Sequence, residues 1–200
     1  TINGGDGDDT IIYTIGDGAD VIDGGAGNDT LKISTSSAPD AGYLYEYIKY
    51  DGTNLVMTPV LPNGQPAPAP YNATLTVTGV ETLDIALGNS NTLVFGQGGG
   101  DLAAAGVTDV KVTGDDTDTT IWFSNVSSDT RLEATLGGGN DTYVGGGQHV
   151  SQSVDGGAGN DSINFSQVSE TFNIDLESGV TIRTSYGGDA IATDSLTNFE

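Results

Sequence analysis

Glycine and aspartate recur in this chain at a spacing that can trap a hard cation. Residues 4–12 read GGDGDDTII, residues 15–23 read IGDGADVID and residues 24–32 read GGAGNDTLK. All three follow Gly-Gly-x-Gly-x-Asp-x-apolar-x, the second with Ile15 in the first glycine slot. Residues 136–144 (LGGGNDTYV) and 156–164 (GGAGNDSIN) repeat the pattern. Calcium takes roughly six to eight oxygens, many of which can be backbone carbonyls. A short loop aims several carbonyls at one point only by passing through φ > 0, which glycine does without strain. The aspartate supplies charge on a short side chain, and the apolar residue two positions later begins an inward-pointing strand. The candidate ligands for Ca2+ are therefore Gly5, Gly7 and Asp9; Asp20; Gly24, Ala26 and Asp29; Gly137, Gly139 and Asp141; and Gly156, Ala158 and Asp161.

A nine-residue period with these fixed slots resembles the RTX (repeats-in-toxin) proteins of Gram-negative bacteria, which leave the cell by type I secretion. The matching units fill windows 4–32 and 136–164. The resemblance implies an all-β fold, a right-handed parallel β-solenoid or β-roll with ions between loops stacked one coil apart. It also implies a chain that is unfolded in the low-calcium cytosol and folds outside. RTX arrays occur in toxins, proteases, lipases, adhesins and surface-layer proteins, so calcium and export are implied but no single activity. One departure stands out. A regular array would stack loops ~18 residues apart, whereas Asp9 to Asp29 and Asp141 to Asp161 are each 20 apart. The same expansion in both clusters points to internal duplication, and IDGGAGNDTLKIS (22–34) aligns with VDGGAGNDSINFS (154–166). Downstream, TGVETL at 78–83 resembles TNFE at 197–200.

The elements that must position these loops are short strands. Residues 43–58 predict a hairpin with an Asp51-Gly52 turn. Its tyrosines 43, 45 and 47 share one face, either as an aromatic platform for glycan or a neighbouring chain, or as cover for the flank of the coil. Residues 59–70 hold five of the six prolines and predict an exposed loop that cannot join a ladder. Alternating apolar positions place strands within 71–88, at 107–113, 119–124 and 130–136, and again within 165–200. Only 100–107 hints at helix. The glycine run at 96–101 and the corner Asp115, Asp116, Asp118 are each either a further ion loop or a solvated turn. The stretch between the second pair of loops, GGQHVSQSVD, has no aspartate in the metal slot, while Asp20 gives the first cluster a possible second row. The chain divides into 1–88, a first calcium unit with the hairpin and proline-rich insertion, and 89–200, a second unit with the second cluster.

Composition narrows the functions. The net charge is −23 over 200 residues, with 5 basic side chains, which excludes a nucleic-acid partner. Aspartate outnumbers glutamate 22 to 6, as suits turns and metal loops rather than helices. So many carboxylates oppose compaction without counter-ions. There is no cysteine, which removes disulfides as staples, and metal can take their place. No 18-residue apolar run exists, so membrane insertion is not expected. The chain opens inside a motif and reads as an excerpt of something longer.

No catalytic constellation is visible. His149 is the single histidine, no paired-histidine zinc motif or Gly-x-Ser-x-Gly elbow exists, and abundant aspartate pairs carry no information about glycosidase chemistry. Trp122, out of phase with Ile121 and Phe123, faces a contact or fills a flank. The expectation is a non-enzymatic, calcium-stabilised structural segment of a secreted, surface-layer-like protein that self-associates with identical chains. A cell-surface glycan or lipopolysaccharide is a further candidate partner. The alternative is the calcium module of a larger type I-secreted enzyme, toxin or adhesin.

Overall fold

Polar corners and alternating apolar positions cut the chain into short strands. The computed structural model describes residues 1–35, 45–61, 63–65, 67–71, 74–88, 92–95, 101–123, 130–145, 152–166, 171–175, 180–184 and 190–200, without the side chains of 45–46, 171–175, 180–184 and 190–193. The strands are β1 (Ile2–Asp6), β2 (Thr10–Thr14), β3 (Val21–Ala26), β4 (Thr30–Ser34), β5 (Tyr45–Tyr50), β6 (Leu55–Val60), β7 (Leu75–Thr78), β8 (Thr82–Ala86) and β9 (Thr92–Phe95). They continue as β10 (Asp109–Thr113), β11 (Thr120–Trp122), β12 (Arg131–Thr135), β13 (Thr142–Val144), β14 (Ser153–Asp155), β15 (Ser162–Asn164), β16 (Thr171–Asp175), β17 (Val180–Thr184) and β18 (Ala190–Thr197). The hint of helix near 100–107 is a single 3-10 turn, Ala103–Ala105.

Among the described residues these strands form two nine-stranded sheets. The first has the order β1-β3-β7-β6-β5-β9-β11-β13-β15, the second β16-β17-β18-β14-β12-β10-β8-β4-β2. From β1 to β4, and from β7 to β15, the chain steps alternately between them. Along these steps each strand pairs in parallel with the next one in its own sheet, except that β6 and β5 stand between β7 and β9. The expanded step appears directly in the register, with Ile2 opposite Ile22, Thr10 opposite Thr30, Glu133 opposite Ser153 and Thr142 opposite Ser162. Inward positions form columns across the second sheet. Ile11, Leu31, Leu83, Val110 and Leu132 make one, and Tyr13, Ile33, Ile85, Val112, Ala134 and Val154 the next. They pack with Ile22, Val77, Leu93, Ile121 and Tyr143 of the first sheet as one core. Full burial of one such aliphatic side chain is worth about 1.5–3 kcal/mol.

Two segments differ from expectation, and the hairpin between them does not. The proline-rich stretch does join a ladder: β6 carries Pro59 opposite Glu46. Its pairing to β7 covers only Leu55–Met57, so Pro59 lies beyond the reach of β7, where no ladder asks for its N–H, and its carbonyl accepts the Ala67 N–H of the following loop. The loop beyond folds back, burying Ala67 against Leu61 and Tyr71. The hairpin forms as expected, its turn set by Asp51 Oδ1 accepting the Thr53 and Asn54 N–H groups. It adds two strands to the first sheet that, among the described residues, have no counterpart in the second. The last strands, β16 to β18, form an antiparallel meander instead of further parallel steps, because connections this short cannot make a crossover.

At the corners, backbone stacks on backbone. A methyl group on Gly25 (φ +106) would overlap the carbonyl oxygen of Gly5, and one on Gly157 (φ +94) that of Gly137. Gly18 has φ +112 but nothing within 4 Å of the same position. Gly18→Ala is expected to cost about 1–3 kcal/mol of backbone strain. Gly25→Ala pays that and forces the stacked corners apart, so its loss in chemical denaturation should be clearly larger; equal losses would mean the stacking is not tight.

Candidate metal centre

Where two strands meet at a corner, their amides run out of sheet partners, and the motif's side chains take over. Asp29 Oδ1 accepts the Asp9 N–H at 2.8 Å, and Glu81 Oε2 accepts the Asp29 N–H at 2.7 Å. In the second cluster Asp141 Oδ1 accepts the Thr119 N–H at 2.7 Å, Asp161 Oδ1 the Asp141 N–H at 2.8 Å, and Glu200 Oε2 the Asp161 N–H at 2.9 Å. Each carboxylate thus reaches back one turn. The residue before it reaches the other way: Asp8 accepts from Asn28, Asp118 from Asn140 and Asn140 from Asn160. At Asn140-Asp141 the pair therefore laces successive corners in both directions.

Asp29, Asp141 and Asp161 are at most 1% exposed. One oxygen of each, Oδ2, is buried with no hydrogen-bond partner, as is Oδ2 of Asp9. Adjacent rungs of a parallel sheet are ~4.8 Å apart. Two bare carboxylates at that distance repel by roughly 3 kcal/mol at an effective dielectric near 20. Burial pushes Asp141 up to about 6, against the bond from the Thr119 N–H, with Asp161, Asp118 and Asp115 adding repulsion.

The two ladders lie on opposite edges. Asp9, Asp29 and Glu81 sit where the chain passes from the first sheet to the second; Thr119, Asp141 and Asp161 sit where it returns. The first edge continues through Thr108, Thr130 and Gln152, and there Asp194 accepts the Gln152 N–H at 3.0 Å in the same geometry. Asp20 lies on the second edge, partly exposed, with its carbonyl accepting from Thr76 and its carboxylate 3.6 Å from the Thr1 amine.

The glycine slots are divided. Gly5, Gly7, Gly137 and Gly139 have positive φ. Gly24 and Gly156 do not, but each lies under its own ladder aspartate: a Cβ there would sit 2.8 Å from Oδ2 of Asp29 or Asp161 and overlap the Gly79 or Asn198 carbonyl. The Ala26 carbonyl accepts the Gly7 N–H, and the Ala158 N–H donates to Gly137. Tyr43, His149 and the run 96–100 lie outside the described residues, as does the Tyr45 side chain. Tyr47 is half-buried on the face opposite Ile48, and Trp122 is half-buried between Val94 and Val144.

Among the described residues, no three His, Cys, Asp or Glu side chains converge as a metal cluster. An ion at these corners would take one or two carboxylate oxygens and complete its shell from carbonyls and water. The donor set fits a hard cation: buried anionic oxygens without partners, over glycines where a side chain would intrude. Glu81, Glu200 and Asp194 were not among the candidate ligands. The matching TGVE and TNFE segments signal the first two, but no glycine motif marks Asp194, which lies within an unbroken strand.

A scan against models of known protein families finds none that matches the chain, and a search of curated proteins finds no match.

The raised Asp141 has a signed consequence in calcium-free buffer. Its folded form holds a proton up to about pH 6, above the usual carboxylate range, so its stabilising share is complete at low pH and lost as pH rises through 6. Thermal melts in chelator should show stability falling between pH 4.5 and 6.5, and Asp141→Asn should flatten that fall; an unchanged profile would mean the carboxylate is solvated.

Proposed function

We propose that this chain is a calcium-closed, right-handed parallel β-solenoid of the RTX type, serving as a structural segment of a secreted bacterial surface protein that assembles with its own copies. The observation that carries this reading is the unpartnered Oδ2 of Asp9, Asp29, Asp141 and Asp161, found at the Gly-Gly-x-Gly-x-Asp corners. A net charge of −23 makes the same demand over the whole surface. In the low-calcium cytosol the ladders would repel and the chain would stay export-competent; outside, calcium would close both edges. With free calcium ~100-fold above the dissociation constant, each site adds about 2.7 kcal/mol. A few sites then supply much of the ~5–15 kcal/mol of an ordinary domain.

The test separates the ion from the hydrogen bond. Asp29→Asn and Asp161→Asn retain an oxygen for the Asp9 or Asp141 N–H but lose the charge, whereas alanine loses both. In a calcium titration followed by circular dichroism, the asparagine variants should hold their chelator stability within ~1 kcal/mol yet lose part of the calcium-dependent gain. The alanine variants should lose on both counts. Calcium midpoints and gains identical to the parent in all four variants would remove these aspartates as ligands.

A further inference from the structure

The outward face of the second sheet carries charge in a pattern that fits a second copy of itself. Among the described side chains, Lys32, Lys111 and Arg131 lie there, each exposed. On β4, β8, β10 and β12 they are matched by Asp84, Asp109 and Glu133, so the outward side of these four strands is neutral on a chain of net charge −23, with Asp155 of the neighbouring β14 at its margin. Elsewhere copies of so acidic a chain repel one another; here the local repulsion vanishes. The central row is in register across four strands and alternates in sign: Lys32, Asp84, Lys111, Glu133. Threonines flank it, Thr30 and Thr82 on one side and Thr113 and Thr135 on the other. At its β2 end Ile12, 73% exposed, rims a groove of about 160 Å³ floored by Ile33 and Ala86.

We propose that this face docks against a second copy of the chain through a two-fold axis lying in the interface, parallel to the strands, between β8 and β10. Reversing the order of the row then sets Lys32 against Glu133 of the other copy and Asp84 against its Lys111, each pair occurring twice. In the flanking row Asp109 meets Thr82 and Arg131 meets Thr30, so no like charges face. The other in-plane axis, along the stacking direction, would set Lys32 against Lys32 and is excluded. Such reciprocity is what an isologous interface requires. The row also pairs within one chain, Lys32 Nζ lying 2.8 Å from Asp84 and Arg131 3.9 Å from Glu133. Lys32 and Glu133, however, are three strands apart in one chain, ~14 Å, and can meet only across copies. This deepens the self-association in the reading above and rests on that part of it.

The experiment is a charge swap read by sedimentation velocity in calcium at low salt, up to about 100 μM chain, a range that catches micromolar dimers. The parent chain should dimerise, and added salt should weaken the dimer. Lys32→Glu and Glu133→Lys should each raise the dissociation constant at least ~10-fold, while circular dichroism reports unchanged folding. The double variant should recover dimerisation, and so should an equimolar mixture of the two single variants. A parent that stays monomeric, or single reversals with no effect on its dimer, would overturn this interface; in the second case self-association would stand on another surface. A dimer that obeys the swap equally in chelator would support this face while removing calcium from the assembly.

Discussion

The structure depends on how closely its corners approach. Parallel strands one step apart bring successive turns within a strand spacing, so backbone meets backbone at Gly5 and Gly25 and at Gly137 and Gly157. That contact leaves no room for side chains above the loop and no sheet partner for the corner amides. The aspartate resolves the second problem by accepting the amide one turn back. In doing so it is drawn out of water, and its other oxygen is left without a donor. Glycine stacking and the buried charge are thus one constraint: the geometry that requires the aspartate also desolvates it.

That constraint explains why the ladders end where they do. Glu81 and Glu200 close the two series in equivalent ways, each accepting the last aspartate's amide from a longer side chain. The residues two before them, Gly79 and Asn198, share a left-handed conformation. Glu200 is exposed and Glu81 partly so, so each series passes from buried carboxylates to one that water can reach. Beyond Glu81 the edge is carried by threonines and Gln152, which make corner bonds without adding charge, until Asp194 accepts the Gln152 N–H. The hairpin β5–β6 enters the first sheet alone and interrupts the second edge, separating Asp20 from the Asp141 ladder.

Much of this was legible in the sequence because the relevant rules are local. Glycine and aspartate slots located both ladders, the 20-residue distance gave the register, and Asp51-Gly52 marked the hairpin. The pairing of Glu81 with Glu200 was visible as a resemblance between TGVE and TNFE, but not its role, since a glutamate cap has meaning only once the stack exists. That the two clusters occupy opposite edges was not legible. The same nine residues can lead out of either sheet, and which one depends on how many strands intervene. Pro59 misled because a proline's tolerance depends on whether its neighbour strand reaches that far. The closing meander was missed because alternation alone does not distinguish parallel from antiparallel pairing.

The most direct measurement is a long-wavelength anomalous difference map from crystals grown in calcium. The account predicts peaks ~2.3–2.6 Å from Oδ2 of Asp29 and of Asp161, in two groups on opposite edges of the stack. Corners without such peaks at millimolar calcium, with Oδ2 instead bonded to water or to another protein donor, would contradict it.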